Sequence, residues 1–139
     1  MNFSFQIDQL SLMMIMIITG IGSLIHLYSI GYMSHDKGFY KFFAYLNLFI
    51  FSMLLLVMGS NYLILFIGWE GVGLCSYLLI GFWHKNQDYN DAAKKAFIMN
   101  RIGDLGFLIG MFIIAALFST LNYAEIKSAV ASGDANSAL

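Results

Sequence analysis

Residues 62–83, YLILFIGWEGVGLCSYLLIGFW, form an unbroken apolar run with a single carboxylate, Glu70, near its middle. At 1.5 Å per residue, about 20 residues cross a hydrocarbon core of about 30 Å, so the run predicts a membrane-spanning helix. An ionisable group at that depth is costly to insert, which makes Glu70 a candidate functional residue by default.

The rest of the chain agrees with a lipid solvent. Of 139 residues, 60% are hydrophobic and only 11% charged, far from the balance of a water-soluble domain. There are no prolines and 13 glycines, as expected of long, closely packed helices. A formal net charge of −1 leaves no basic footprint for nucleic acid. The single cysteine, Cys75, excludes an intramolecular disulfide and any multi-cysteine metal site, and its place among small residues reads as packing. The N-terminus has neither a basic n-region nor a small-residue cleavage site, so no signal peptide is expected.

The expected fold is therefore an all-α integral membrane protein with four transmembrane helices, at about 10–33, 42–59, 62–83 and 92–118, forming part of a larger helical bundle. Residues 1–118 read as membrane domain. The Ala/Ser/Asn-rich stretch 119–139 reads as a polar tail, the start of a loop. Gly59-Ser60-Asn61 is an uncharged turn, Asp91 is the expected cap of the fourth helix, and Phe82 and Trp83 read as interfacial anchors. Lys37, Lys41, Lys85, Lys94 and Lys95 flank the loops after spans one and three, whereas the tail has only Lys127. By the positive-inside rule those loops face the cytoplasm or its equivalent and both termini lie on the opposite side.

Three ionisable residues fall deep in the spans: Glu70 on the third, Arg101 and Asp104 on the fourth. Counted from the short loop joining the two helices, Glu70 and Asp104 lie at similar depth, about 20 Å in at helical rise. Arg101 and Asp104 are three apart and share a helix face, so they can pair as a self-neutralising structural device. Glu70 has Phe66, Ile67, Gly73 and Leu74 at its helical neighbour positions. It must find a cation on another helix or take a proton, since desolvation disfavours the carboxylate. A group poised to change protonation there suits a proton relay; a neutral, hydrogen-bonded structural acid is the alternative. Gly68, Gly71 and Gly73, and the Gly106-xxx-Gly110 pair, would allow close helix approach or leave room for water. His26, with Ser23, Tyr28 and Ser29 around it, reads as a hydrogen-bonded structural histidine, and no second histidine at matching depth offers a haem ligand. No phosphate loop, nucleophile elbow or metal-ligand cluster occurs.

The run GWEGVGLCSYLLIGFW (68–83), followed by KAFIMNRIGD (95–104), resembles the antiporter-like subunits of respiratory complex I, the proton-translocating NADH:quinone oxidoreductase. Within them it is similar to the family of bacterial subunit L and mitochondrial NADH dehydrogenase subunit 5. HLYSIGYM (26–33) and FFAYLNLFIFSMLLLV (42–57) extend the resemblance over nearly the whole chain up to about Phe118. Mrp-type cation/proton antiporters keep a GWE-like element, but the VGLCSYLLIGFW continuation and the NRIGD run favour complex I.

The resemblance implies inverted repeats containing discontinuous helices. It also implies that Glu70 works with a lysine on a later broken helix in proton translocation driven by quinone reduction. Arg101 and Asp104 match charged positions implicated in activity, and Lys95 matches a further charge nearer the cytoplasmic end of the same helix. No cofactor is expected on this chain; NADH, FMN, iron–sulfur clusters and quinone are implied elsewhere in the complex. The implied partners are the other membrane-domain subunits of complex I and the lipid bilayer, with no nucleic acid. The expected location is a bacterial cytoplasmic membrane, with mitochondrial inner and plastid membranes left open. The family's subunits have many more spans than four, so the chain is expected to be a fragment, inactive in isolation. An Mrp-type antiporter subunit and a non-catalytic membrane scaffold stand as alternatives.

Overall fold

The structure, a computed structural model, describes residues 4–132, and these are helical apart from turns and two isolated β-bridges. The element order is α1 (Gln9–Tyr32), α2 (Phe39–Met58), α3 (Tyr62–Ile80), α4 (Gln87–Phe118) and α5 (Tyr123–Ser132). The first four are long and apolar enough to cross a membrane. They pack in sequence, α1 on α2, α2 on α3 and α3 on α4, so α3 lies between two neighbours.

Burial follows the logic of a lipid solvent. Ser11, Ser29, Ser52 and Asp104 are buried, whereas Leu24, Leu27, Ile102, Leu105 and Phe112 are exposed. So many exposed leucines, isoleucines and phenylalanines would be costly in water; in hydrocarbon the outside is as apolar as the leucines that face it. Small and polar residues join Ile18, Leu46 and Ile64 in the contacts between helices. Gly68 shows why α2 and α3 approach so closely: a Cβ there would lie 2.5 Å from the Leu56 backbone nitrogen. A Cβ on Gly71 would lie 2.5 Å from the Ser52 hydroxyl, which donates to the Leu48 carbonyl one turn back at 2.9 Å. Of the two alternatives for Gly73, Gly106 and Gly110, the structure has the open one: nothing lies within 4 Å of a Cβ built on any of them, and Gly73 lines a cavity. The close contact runs along α2–α3.

Helix ends are set by local polar chemistry. Asp8 and Ser11 form a capping box on α1, with Ser11 N–H donating to Asp8 Oδ1 and Asp8 N–H donating to Ser11 Oγ, both at 2.8 Å. The Ser11 backbone N–H, and after it the Ser11 hydroxyl donating to Asp8 Oδ1 at 2.7 Å, hold the Asp8 carboxyl below its ordinary value. Asn61 caps α3 by accepting from the Ile64 N–H at 2.9 Å.

Several boundaries differ from the sequence expectation. The fourth helix starts at Gln87, capped by Asn86, and not near Asp91, because the Asn86 side chain accepts the Asp88 N–H at 3.0 Å. At 32 residues, or about 48 Å, α4 carries its polar first turns beyond its apolar part. The third helix stops at Ile80 with Gly81 as its cap, which places Phe82 and Trp83 in the turn. The second begins at Phe39, right after Gly38. The expected loop over 119–139 is corrected for Tyr123–Ser132, a helix begun where the Ala124 N–H bonds Asn122 Oδ1 at 3.1 Å and built from helix-forming AEIKSAVA; residues 133–139 lie outside the described residues.

One end of the bundle is laced shut by chain segments far apart in sequence. Gln6 N–H donates to the Met58 carbonyl at 2.8 Å, Tyr62 N–H to Leu121 at 3.1 Å and Tyr123 N–H to Ser60 at 3.3 Å. Tyr123 meets Tyr62 edge-on at 4.8 Å, and burial, followed by the neighbouring Tyr62, pushes its hydroxyl up to about 12. The opposite end carries the α1–α2 and α3–α4 turns, joined where Trp83 Nε1–H donates to Asp36 at 2.8 Å.

Candidate functional site

Antiparallel packing of α3 on α4 sets side chains in matched tiers. Phe66 stacks on Phe107 with ring centres 5.6 Å apart, and Tyr77 meets Phe97 at 5.3 Å. Between these aromatic pairs lies the polar tier. Glu70 and Trp69 come from α3, Arg101 and Asp104 from α4.

Arg101 Nη1 donates to Glu70 Oε2, and the same guanidinium nitrogen lies 3.8 Å from Asp104 Oδ2. Trp69 Nε1–H donates to the other Asp104 oxygen, Oδ1, at 2.8 Å. The Arg101 guanidinium also sits over the Phe97 ring, 4.6 Å from its centre, one helical turn back. Asp104 is 6% exposed, while the Glu70 and Arg101 side chains keep 21% and 42% of their surface. The tier borders a cavity of about 310 Å³ that Ser76 and Asn100 also line, enough for several water molecules.

The tier brings together three of the four charged residues singled out in the sequence. Glu70, which has no cation on its own helix, obtains one from α4, and Arg101 and Asp104 hold the i,i+3 relation expected of them. Lys95 is not drawn in. It is exposed, six residues before Arg101, about 9 Å further along the helix. Its neighbour Lys94 pairs with Asp91 at 3.8 Å.

Sequence reasoning missed Trp69 and Phe97. The signal for Trp69 was available: an indole N–H inside a span needs an acceptor, and only a few were within reach. Phe97 stands four residues before Arg101, the spacing at which helix neighbours meet. His26 matches its structural reading, with Nδ1 on the Gly22 carbonyl at 2.7 Å and Phe43 edge-on at 5.9 Å. Nδ1 therefore carries the ring proton, and Nε2 is buried without a partner.

Comparison with known proteins extends this picture. Residues 1–43 match the family described as NADH-ubiquinone oxidoreductase (complex I), chain 5 N-terminus. Residues 59–139 match the transmembrane family described as NADH:quinone oxidoreductase/Mrp antiporter. The chain is 58% identical over 135 residues to NADH-quinone oxidoreductase subunit L of Campylobacter jejuni, covering 97% of this chain and 23% of that protein. It is 56% identical over 129 residues to the subunit L of Mycobacterium tuberculosis strain H37Rv, covering 93% of this chain and 20% of the relative. For the subunit L of Pseudomonas aeruginosa the figures are 53% over 125 residues, 90% and 20%. The chain thus spans only about a fifth of the length of these relatives.

Proposed function

The chain belongs to the transmembrane family shared by NADH:quinone oxidoreductases and Mrp antiporters, and from that premise we propose that it is a membrane segment of a proton-translocating NADH:quinone oxidoreductase. In this reading Glu70 contributes to a proton pathway coupled to quinone reduction. The other membrane-domain subunits are its partners, a bacterial cytoplasmic membrane is its location, and NADH, FMN, iron–sulfur clusters and quinone act elsewhere in the assembly.

The observation that carries this reading is the charge count at the α3–α4 seam. Glu70 and Asp104 share one guanidinium. Arg101 does not lose its proton in a protein, so a fully ionised tier holds one uncompensated negative charge. In a low dielectric that charge calls for a further cation or a proton. A lysine brought to Glu70, as the family resemblance implies, would fill the role of the cation. Arg101 already lies within ion-pairing distance of Asp104, so it can shift between the two carboxylates as that second cation arrives or leaves. Each shift changes the field at Glu70 and hence its hold on a proton.

Replacing Glu70 with Gln in the intact assembly tests this. The expected outcome is impaired proton pumping and impaired coupled quinone reductase activity in a complex that still assembles. A fully assembled mutant that pumps normally would leave the scaffold reading in its place. The second reading, a cation/proton antiporter subunit, is favoured by the shared family description, whereas the match of residues 1–43 to complex I favours the oxidoreductase. Neighbouring genes separate the two: other oxidoreductase subunits on one reading, other antiporter subunits on the other.

A further inference from the structure

At the end of the bundle opposite the laced end, the α1–α2 and α3–α4 turns enclose a cavity of about 730 Å³, a size that takes a small-molecule ligand. Its rim carries Lys37, Lys41 and Lys85, with His35 and His84 beside them, and its inner wall includes Tyr45, Tyr77 and Leu78. The acid among them is Asp36, and both its oxygens are engaged, Oδ1 by the Gly38 N–H at 2.7 Å and Oδ2 by the Trp83 indole at 2.8 Å. Among the described residues, the ion pairs are those of Lys94 and Arg101; Lys37, Lys41 and Lys85 have no carboxylate within 4.0 Å. Three lysines against one committed carboxylate leave the rim with an excess of two positive charges.

The shape of the cavity is fixed by packing between the turns. A Cβ on Gly38 would lie 2.6 Å from Phe82 Cζ, and Phe82 meets Phe42 edge-on at 5.4 Å. Trp83, Tyr32 and Tyr89 gather around the same turns, with Tyr32 and Tyr89 each 6.4 Å from the Trp83 ring. Aromatic residues so placed at span ends mark the headgroup level of a bilayer. The cavity is thus basic at headgroup depth and runs inward along the spans past Tyr45, Tyr77 and Leu78.

We propose that this cavity binds an anionic phospholipid, its phosphodiester held by Lys37, Lys41 and Lys85 and its acyl chains following the wall of Tyr45, Tyr77 and Leu78. The shared chemistry with free phosphate is the anionic oxygen. The rings of Tyr45 and Tyr77 and the side chain of Leu78 offer acyl chains an extended contact that inorganic phosphate cannot use, which favours the lipid. An acidic protein segment would match the rim but not a wall that descends into the membrane. The site stands apart from the Glu70 tier and does not depend on the function proposed for it.

The test uses the intact protein, extracted in a non-ionic detergent with the subunits that accompany it and stripped of lipid. Native mass spectrometry follows binding of phosphatidylglycerol, phosphatidylcholine and inorganic phosphate, and lysine acetylation is mapped with and without lipid. Phosphatidylglycerol should bind well above phosphatidylcholine, with no displacement by millimolar phosphate, and should shield Lys37, Lys41 and Lys85 but not Lys127. Each Lys→Gln change at these three positions should weaken binding about fivefold and the triple change about 100-fold, from about 1 kcal/mol per lysine near an anionic surface. Lys41→Arg, which keeps the charge, should retain binding and shows that the turn still folds. Equal binding of the two lipids, an unaffected triple variant, or displacement by phosphate overturns the proposal. Shielding of the three lysines already in the lipid-free assembly also overturns it, because a protein segment would then occupy the cavity.

Discussion

The indole N–H of Trp69 donates to Asp104 Oδ1 at 2.8 Å, tying α3 to α4 across 35 residues of sequence. The bond occupies one carboxylate oxygen and leaves Oδ2 facing Arg101. Trp69 therefore fixes how the buried acid is presented to the guanidinium that also serves Glu70.

Trp69→Phe removes a hydrogen bond to a charged acceptor and should destabilise the α3–α4 pair by about 2 kcal/mol. The carboxylate stretch of Asp104 should shift in the infrared spectrum, assigned by its loss in Asp104→Asn. An Asp104 band unmoved by Trp69→Phe would show that the indole does not hold the acid in the folded protein.

Arg101→Met leaves Glu70 and Asp104 facing one another's charge without a cation. Removing one partner of a buried ion pair costs on the order of 3 kcal/mol, and the partial exposure of Arg101 puts this variant at or below that figure. Combining it with Glu70→Gln should recover part of the loss, because the double variant carries one carboxylate fewer. Unfolding midpoints of the two single variants and the double variant measure the coupling. Strict additivity would mean that Arg101 and Glu70 do not interact energetically.

Gly68→Ala should destabilise the bundle by about 1–3 kcal/mol, the range for overpacking a tight contact. The new methyl meets Leu56 backbone at 2.5 Å and 2.7 Å, and backbone cannot swing aside as a side-chain tip can. Gly73→Ala, five residues on, opens onto free space and should be neutral or slightly stabilising through helix propensity. Thermal unfolding of the two variants side by side provides the check, and equal effects would contradict the asymmetry of the helix faces.

The Trp83 indole, and after it the Gly38 N–H, hold the Asp36 carboxyl below its ordinary value of 3.8. A carboxyl lowered on folding contributes stability that is fully present above 3.8 and is lost as pH falls below it through the folded value. The contact between the two turns should therefore be constant through neutral pH and weaken below about pH 4. Trp83 fluorescence in a Trp69→Phe background reads the transition. Asp36→Asn should abolish that acid-dependent change, and a variant that still shows it would place its origin elsewhere.

Much of this protein was legible in the sequence because the bilayer imposes a simple code. About 20 apolar residues in a row can satisfy their backbone in hydrocarbon only as a helix, so the four spans, their antiparallel order and the shared depth of Glu70, Arg101 and Asp104 followed from counting. Arg101 and Asp104 were legible as a pair because i,i+3 neighbours on one helix need no tertiary information. Helix ends were less legible. Asn86 and Asp91 are both competent caps, and which one starts α4 depends on how the preceding turn folds. The tail helix at Tyr123–Ser132 is anchored by the bonds of Tyr62 and Tyr123 to segments distant in sequence.

Only the tertiary structure decided the rotation of each helix about its own axis. Periodicity fixes that rotation where one face is polar and one apolar, but a span bathed in lipid is apolar all round and leaves it undetermined. That rotation sends Gly68 and Gly71 toward α2, leaves Gly73 and the Gly106/Gly110 pair in open space, and turns Glu70 to Arg101 and Trp69 to Asp104. Composition and length determined that a glutamate lies inside the membrane. Interhelical packing decided that it shares its cation with a second acid.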